Sequence, residues 1–259
     1  MIYASLASGS KGNCHAFSHP GGTLLVDAGI SLKQIRLRMA ALGLEAGEEV
    51  AVALTHEHSD HIGAVPVLLR RTPWVFMGTP DTLAAVERIL GVEIPAGRRI
   101  QLVPGRARAW NGFEILPFTT PHDAVDSVAY RVSGAGLRAA VVTDLGQPTA
   151  LVEDHCRDLD LLVLEANHDV PMLREGPYPP PLKARILSRV GHLSNEAMAD
   201  LLARVLSPAL RTVVLAHLSE QNNLPELARA AAEAVLAGRE VDLRVASQSE
   251  PLRLANPTF

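Results

Sequence analysis

Short runs of apolar and β-branched residues, each bounded by turn-forming residues, recur along the whole chain. Runs of this length and composition predict β-strands. The run VAVAL, over 50–54, is apolar at consecutive positions, which indicates a strand buried on both faces of a sheet. We predict strands near 2–6, 14–18, 23–27, 50–54, 74–77, 100–103, 113–118, 128–133, 138–143, 160–165, 211–216 and 241–246.

Segments with apolar residues at helical spacing lie between these strands. The first begins with a capping box formed by Ser31 and Gln34, followed by an apolar face that includes Ile35 and Met39. Further helices are predicted from Pro66 to about Arg71, over 80–90, over 180–190, after a cap at Ser194 or Asn195, and after a cap at Asn223. The mixture predicts one α/β domain over 1–259, with two packed sheets and helices outside them.

Composition narrows the class of protein. With 47% hydrophobic and 20% charged residues in 259, the chain is predicted to be globular rather than disordered. No apolar run approaches the ~20 residues that span a bilayer, and the N-terminus lacks a secretory signal pattern. The two cysteines, Cys14 and Cys156, suit a reducing compartment, so we predict a cytoplasmic protein without membrane contact. A net charge of −4 argues against broad, nonspecific coating of nucleic acid, although a local basic surface stays possible.

The segment SLASGSKGNC, over 5–14, has the small residues and the lysine of a phosphate-binding loop. A nucleotide-binding P-loop requires G-x-x-x-x-G-K-[ST] between a strand and a helix. Here Lys11 precedes the second glycine, and the segment that follows predicts a strand. We therefore predict the turn of a β-hairpin, in which Gly9 and Gly12 supply backbone angles that other residues resist.

The strongest chemical signal is the segment LTHEHSDH, over 54–61. His56 and His58 close an apolar strand, where side chains two residues apart share one face and can converge on one cation. After a turn, Asp60 and His61 can reach a second position nearby. Imidazoles with a carboxylate suit zinc, manganese or iron far better than calcium. The alternative, an ordinary polar loop whose histidines cap backbone groups, is disfavoured by so dense a cluster.

The pattern H-x-H-x-D-H after a buried strand resembles the signature of the metallo-β-lactamase family. Matching residues follow the family order, each just beyond a predicted strand: Asp27 in LLVDAG, His122 in FTTPHDAVDS, Asp144 in AAVVTDLG and His217 in TVVLAHLS. The resemblance implies a four-layer αββα sandwich with ligands for two divalent metal ions, Zn or Mn, at one end. It implies that His56, His58 and His122 hold one ion, that Asp60, His61 and His217 hold the other, and that Asp144 bridges them. Asp27 would orient ligands rather than bind metal.

Such a centre is suited to hydrolysis. With two divalent cations, two aspartates and a bridging hydroxide, it would keep about one positive charge, which attracts an anionic substrate. In the nuclease branch of the family, an acidic residue after a strand pairs with a later histidine that protonates the leaving oxygen. By resemblance Glu165, in LLVLEANHD, would orient His192, in VGHLSNEA, as the general acid. The alternative is that Glu165 caps a loop and His192 is a turn residue.

The full set of motifs is similar to a short, stand-alone bacterial subgroup regarded as 5′→3′ DNA exonucleases. The resemblance implies a phosphodiesterase that favours DNA over RNA, acts through a metal-bridging hydroxide, and uses His192, Glu165 and the ligand Asp60 as catalytic residues. In this fold the first hairpin lies near the metals, so we predict phosphate contacts from its polar residues: Ser8, Ser10, Lys11 and Asn13. A turn that only faces solvent is the alternative.

Several residues and functions stay open at this stage. His168 could contact substrate, support the metals or be structural, whereas His15, His19 and His155 lack a partner pattern and are predicted at the surface. The chain lacks a β-CASP insertion and the flexible arm of transfer-RNA processing enzymes, so recognition would rely on the rim of the site, with Lys183, Arg185 and Arg189 as further candidates. The alternative functions are a thioester or lactone hydrolase of the glyoxalase II kind and a binding module without activity.

Overall fold

The computed structural model describes residues 1–45 and 47–254. Residues 46 and 255–259 of the predicted domain lie outside the described residues. Within the described part, the strands form two seven-stranded sheets. Apolar side chains of both sheets, among them Phe17 and Val26 of the first and Tyr130 and Val163 of the second, share one buried cluster. The two sheets therefore pack face to face, as the alternation of elements predicted.

The first sheet is antiparallel at one side and parallel at the other. In spatial order it contains β14 (Leu252–Leu254), β1 (Ile2–Ala7), β2 (Cys14–His19), β3 (Gly22–Val26), β4 (Val50–Ala53), β5 (Val75–Gly78) and β6 (Arg99–Gln101). The predicted hairpin between β1 and β2 is confirmed. Gly9 and Gly12 lie in its turn with φ of +145° and +151°, angles that L side chains rarely adopt.

The second sheet has the same mixed character, with β10 to β13 parallel and β7 to β10 antiparallel. In spatial order it contains β13 (Asp242–Val245), β12 (Thr212–Ala216), β11 (Leu161–Glu165), β10 (Leu137–Val142), β9 (Val128–Gly134), β8 (Phe113–Thr119) and β7 (Arg108–Trp110). The two strands β7 and β14 were not predicted. Each has three residues and contains arginine, so neither shows the run of apolar and β-branched residues that predicts a strand.

Helices cover the outer faces of both sheets and complete the four-layer αββα sandwich. They are α1 (Leu32–Ala41), α2 (Ser59–Ile62), α3 (Val65–Arg71), α4 (Pro80–Leu90), α5 (Ala150–His155), α6 (Val170–Glu175), α7 (Pro180–Ile186), α8 (Asn195–Val205) and α9 (Pro225–Leu236). Leu68 of α3 and Val86 of α4 pack on the first sheet, whereas Met198 of α8 and Ala228 of α9 pack on the second. The short helices α2, α5 and α6 were not predicted.

Two predicted helix ends are corrected by the structure. The helix predicted over 180–190 ends at Ile186, and the chain then folds back on the end of the helix. Gly191 permits this close approach, because a Cβ atom at this position would lie 2.2 Å from the Ile186 carbonyl oxygen. Asn223 does not cap α9, whose N-cap is Leu224. The Asn223 amide instead donates to the Ala166 carbonyl at 2.8 Å and exchanges hydrogen bonds with Asn195.

The prediction that His15 lies at the surface is wrong. Its side chain is buried on β2, where Nδ1 lies 2.9 Å from the Tyr3 hydroxyl. His19 and His155 are partly buried and pack against phenylalanine rings. The surface position of His15 was predicted because the sequence showed no partner for it, whereas the hydroxyl of Tyr3 gives its ring a hydrogen-bond partner inside the protein.

Within residues 1–45 and 47–254, no helix has the length and apolar character needed to cross a membrane.

Candidate metal centre

The candidate centre lies where strands of both sheets end. Asp27 directly follows β3, Asp144 follows β10 by two residues, and His217 directly follows β12. All three have positive φ, at 64°, 57° and 56° respectively. This left-handed conformation is rare for residues other than glycine and costs on the order of 1–3 kcal/mol, so it persists where the surrounding structure holds it. Three polar residues at this edge of the sandwich are thus held in an uncommon backbone conformation.

Two clusters of side chains coincide with the two predicted ligand sets. The first consists of His56, His58 and His122, and the second of Asp60, His61 and His217; in each, the candidate ligand atoms lie within 4.8 Å of one another. In the first cluster, His58 Nδ1 lies 3.3 Å from His122 Nε2. In the second, Asp60 Oδ2 lies 3.4 Å from His61 Nε2 and 3.5 Å from His217 Nε2.

Asp144 lies between the two clusters. Its Oδ2 is 3.2 Å from His61 Nε2, while its Oδ1 is 3.8 Å from His122 Nε2 and 3.6 Å from His217 Nε2. It also forms a third compact group with His56 and His61. This buried carboxylate therefore faces both clusters, which is the position that a residue shared by two ions requires.

Hydrogen bonds to the outer ring nitrogens orient the histidines of the clusters. Asp27 Oδ2 accepts from His61 Nδ1 at 2.7 Å, and Thr55 lies between Asp27 and His56, 2.9 Å from Asp27 Oδ2 and 2.9 Å from His56 Nδ1. His122 Nδ1 donates to the Gly191 carbonyl at 3.1 Å. These contacts leave Nε2 of each ring directed at the centre, as partners of metal ligands commonly do.

Sequence reasoning placed Asp27 in this orienting role but missed Thr55 and Gly191. Thr55 directly precedes the first histidine of the H-x-H-x-D-H segment, so its position was a usable signal. Gly191 contributes only a carbonyl group from a segment far along the chain, and no side-chain pattern could have indicated it.

The residues present fit divalent transition metals. His56 Nε2 and His217 Nε2 are buried and have no hydrogen-bond partner within the described residues. Buried polar atoms are almost always paired, so unpaired ring nitrogens that face carboxylates have the arrangement of ligands for a cation. Imidazoles with a few carboxylates form the usual donor set for zinc and manganese. The buried His/Asp clusters are thus consistent with a dinuclear metal site.

The carboxyl and imidazole groups of the clusters shift each other's pKa. Burial opposes ionisation of Asp144, but the neighbouring His217 and His61 hold the pKa of its carboxyl well below its usual range. Burial likewise lowers the pKa of His217, yet Asp144, Asp60 and Glu165 together raise it to about 10. A divalent cation binds the neutral form of an imidazole, so metal and protons compete for these ring nitrogens.

Glu165 and His192 form a pair beside the clusters. Glu165 is fully buried at the end of β11, and its Oε1 accepts a hydrogen bond from His192 Nδ1 at 2.8 Å. Its Oε2 accepts from the backbone N–H of Leu145 at 2.7 Å. Burial raises the pKa of Glu165, but the hydrogen-bonded His192 outweighs it and the pKa falls to about 2. Oε1 also lies 3.2 Å from His217 Nδ1, so one carboxylate connects the pair to a candidate ligand.

The polar residues predicted to contact substrate differ in where the structure places them. Ser8 and Asn13 are buried and hydrogen-bonded inside the protein. The Ser8 hydroxyl accepts from the His217 backbone N–H at 2.8 Å, and the side-chain Oδ1 of Asn13 accepts from the Gly9 backbone N–H at 2.9 Å. Ser10 and Lys11 are exposed, and Lys11 pairs with Glu220. Contact with substrate by this hairpin is therefore proposed mainly for Ser10 and Lys11.

His168 and the basic rim residues complete the predicted set. His168 is buried, neither ring nitrogen has a hydrogen-bond partner within the described residues, and burial lowers its pKa to about 4. Lys183 donates to the Arg174 carbonyl at 2.6 Å, and Arg185 donates to Asp123. Arg189 is exposed.

Residues 23–218 match the domain family described as the β-lactamase superfamily domain. That match spans most of the chain and contains every residue of the two clusters.

The chain belongs to the metallo-β-lactamase superfamily.

Within this superfamily, the chain is 35% identical to exodeoxyribonuclease YycJ of Bacillus anthracis over 236 aligned residues. The alignment covers 91% of this chain and 89% of that protein. The chain is 36% identical over 228 residues to exodeoxyribonuclease WalJ of Streptococcus pneumoniae, which covers 87% of this chain and 84% of that protein. The resemblance to the stand-alone bacterial subgroup is thereby confirmed.

Solved structures confirm the metallo-β-lactamase fold. Zn²⁺-bound PqqB from Methylobacterium extorquens superposes with a TM-score of 0.75 at 20% identity, covering 99% of this chain and 100% of that one. YhfI from Bacillus subtilis, described as a metallo-β-lactamase fold protein, superposes with a TM-score of 0.71 at 17% identity, covering 98% and 99%. At these identities the likeness concerns the fold alone.

Proposed function

We propose that this protein is a two-metal phosphodiesterase that degrades DNA as a 5′→3′ exonuclease. The observation that carries the proposal is the hydrogen-bonded Glu165–His192 pair, which lies beside two clusters of candidate metal-ligating side chains. The relatives named exodeoxyribonuclease, at 35% and 36% identity over most of the chain, support DNA as the substrate.

In this proposal the chain holds one cation with His56, His58 and His122 and the other with Asp60, His61 and His217, with Asp144 shared. When bound, two such cations supply Lewis acidity and a nucleophile at neutral pH, and they neutralise charge on the phosphoryl group. Asp27 and Thr55 keep the rings of His61 and His56 turned toward the centre. This set of fixed dipoles and charges favours an anionic substrate over a neutral one.

His192 supplies the proton for the leaving oxygen. Its Nδ1–H is held by Glu165, so Nε2 is the nitrogen left to exchange a proton with substrate. The His192 side chain is 20% exposed whereas that of Glu165 is not exposed at all, which opens the ring to substrate while the carboxylate stays shielded. The buried carboxylate thus fixes the orientation of the ring, so that its outer nitrogen can deliver a proton to the leaving oxygen.

The proposed function can be tested with purified protein loaded with Mn²⁺ or Zn²⁺. It should hydrolyse 5′-phosphorylated DNA oligonucleotides, single- and double-stranded, faster than RNA of the same sequence, and a chelator should abolish the activity. S-lactoylglutathione, a substrate of glyoxalase II, serves as the comparison. If the protein hydrolyses this thioester and leaves the oligonucleotides intact, it is a small-molecule hydrolase and not a nuclease. If it hydrolyses none of these substrates with both metals bound, a binding module is favoured.

A further inference from the structure

A cavity of about 150 Å³ lies directly beside His192. Its walls come from separate parts of the chain: the first hairpin, the loops after β11 and β12, and the segment that includes α7. The residues that matter here are Ser10, Asn167, Tyr178, Leu182, Arg185 and His192. Tyr178, Leu182 and Arg185 belong to neither cluster of candidate metal ligands, so the metal centre does not account for this part of the molecule.

The lining of the cavity combines an aromatic ring and apolar side chains with polar ones. Tyr178 and Leu182 are both partly buried, and Tyr178 makes no hydrogen bond or ring contact with the described residues. An aromatic face with no protein partner is available to stack on a flat ring, and stacking on a nucleobase is worth about 1–3 kcal/mol. Ser10 and Asn167 border the same cavity and suit the polar edges of a base or a sugar.

Arg185 adds a positive charge between the cavity and the metal centre. Its Nε donates to Asp123 Oδ2, and Asp123 directly follows the candidate ligand His122. The two Nη groups of Arg185 have no hydrogen-bond partner within the described residues. A guanidinium held at one edge, with its remaining donors free, is well suited to bind a phosphate group.

We infer that this cavity is the subsite for the terminal nucleotide of the substrate, with the base against Tyr178 and Leu182 and its 5′-phosphate against Arg185. This inference rests on the proposed function. It places the 3′-oxygen of that nucleotide beside His192. In the hydrolysis, water forms the new P–O bond and releases a proton to solvent, the bond from phosphorus to the 3′-oxygen breaks, and His192 gives its proton to that oxygen. Stacking reads no sequence, so the subsite accepts all four bases.

Equilibrium binding tests the subsite without any turnover. The probe is deoxythymidine 5′-monophosphate, titrated calorimetrically into the metal-loaded protein, and 2-deoxyribose 5-phosphate serves as the matched probe without a base. Tyr178→Ala should weaken binding of the nucleotide about tenfold or more and leave binding of the sugar phosphate unchanged, whereas Tyr178→Phe should bind both like the wild type. Leu187→Ala is the matched control, because Leu187 follows α7, is 43% exposed and does not line the cavity. Equal affinities of the wild type and Tyr178→Ala for the nucleotide would overturn the inference.

A kinetic experiment separates failure of the inference from failure of the proposed function. Wild-type protein should show a higher KM for an oligonucleotide with an abasic 5′-terminal residue than for the intact oligonucleotide, and Tyr178→Ala should show the same KM for both. If the wild type digests both with one KM, the subsite is wrong and the nuclease stands. If the wild type digests neither but still binds the nucleotide in a Tyr178-dependent manner, the subsite stands and the nuclease is wrong.

Discussion

Replacement of His192 by alanine should slow DNA hydrolysis by a factor that depends on the leaving group. A positioned general acid contributes about 10²–10⁴ to the rate when the leaving oxygen is an alkoxide. We therefore expect kcat on DNA to fall by about that factor. An ester of thymidine 5′-phosphate with p-nitrophenol releases a stable phenolate that needs no proton, so its hydrolysis by His192→Ala should fall less than about tenfold.

The expected size of the effect follows from the contacts of His192. Within the described residues, the one hydrogen bond of its side chain is to the buried carboxylate of Glu165, at 2.8 Å. A hydrogen bond to a charged group is worth about 1.5–3 kcal/mol. Glu165→Gln should therefore lower kcat on DNA by about 10- to 150-fold. In the His192→Ala background the same change should have almost no further effect, since two residues that act through one proton are not additive.

The assay is steady-state kinetics of the single and double variants on both substrates, with metal content measured on each preparation. Glu165 also lies 3.2 Å from His217 Nδ1, so metal content distinguishes loss of the proton donor from loss of a ligand. The reasoning is refuted if His192→Ala loses the same factor on DNA and on the p-nitrophenyl ester. It is also refuted if the Glu165→Gln and His192→Ala effects multiply.

Three further results are expected. Asp27→Asn should weaken metal affinity about 10- to 100-fold, measured by competition with a chelator, since it removes the carboxylate that orients His61; unchanged affinity would exclude that role. Burial, aided by the charges of His61 and His217, lowers the pKa of His15 to about 3, so the folded state keeps His15 neutral while the unfolded state gains a proton below about pH 6.5. Stability should thus fall by up to about 1.4 kcal/mol per pH unit from there down to the folded pKa, and urea unfolding of His15→Leu in a chelator should show a shallower fall. The double variant Ser10→Ala/Lys11→Ala should bind oligonucleotides more weakly than the wild type while its metal content stays the same. If the variant binds oligonucleotides with wild-type affinity, the hairpin does not contact the substrate.

Much of the metal centre could be predicted because its residues are tied to local patterns. His56, His58, Asp60 and His61 occupy one short segment after a buried strand, and a strand is recognised from its own apolar residues. Asp144, His122 and His217 lie just beyond other predicted strands, and the family resemblance indicated these three among the many polar residues at strand ends. Because the ends of these strands meet at one edge of the sandwich, the local motif and the family resemblance together predicted which side chains lie close to one another.

The parts that sequence reasoning missed depend on tertiary contacts. Thr55 and the Gly191 carbonyl orient histidines from positions with no distinguishing pattern of their own. His15 is buried because Tyr3 offers a hydrogen bond across the neighbouring strand, which no periodicity indicates. The cavity beside His192 brings Tyr178 together with residues from distant segments, and only the folded chain shows that they share one space.

The most direct test of the central claim is the first product released from end-labelled DNA. Metal-loaded protein is incubated with one oligonucleotide labelled at the 5′ end or at the 3′ end, and the products are resolved within the first turnovers. The account predicts that the 5′ label appears at once as a mononucleotide while the 3′ label stays in progressively shorter fragments. Release of the 3′ label first, internal cleavage of both substrates, or intact DNA with both metals bound would contradict it.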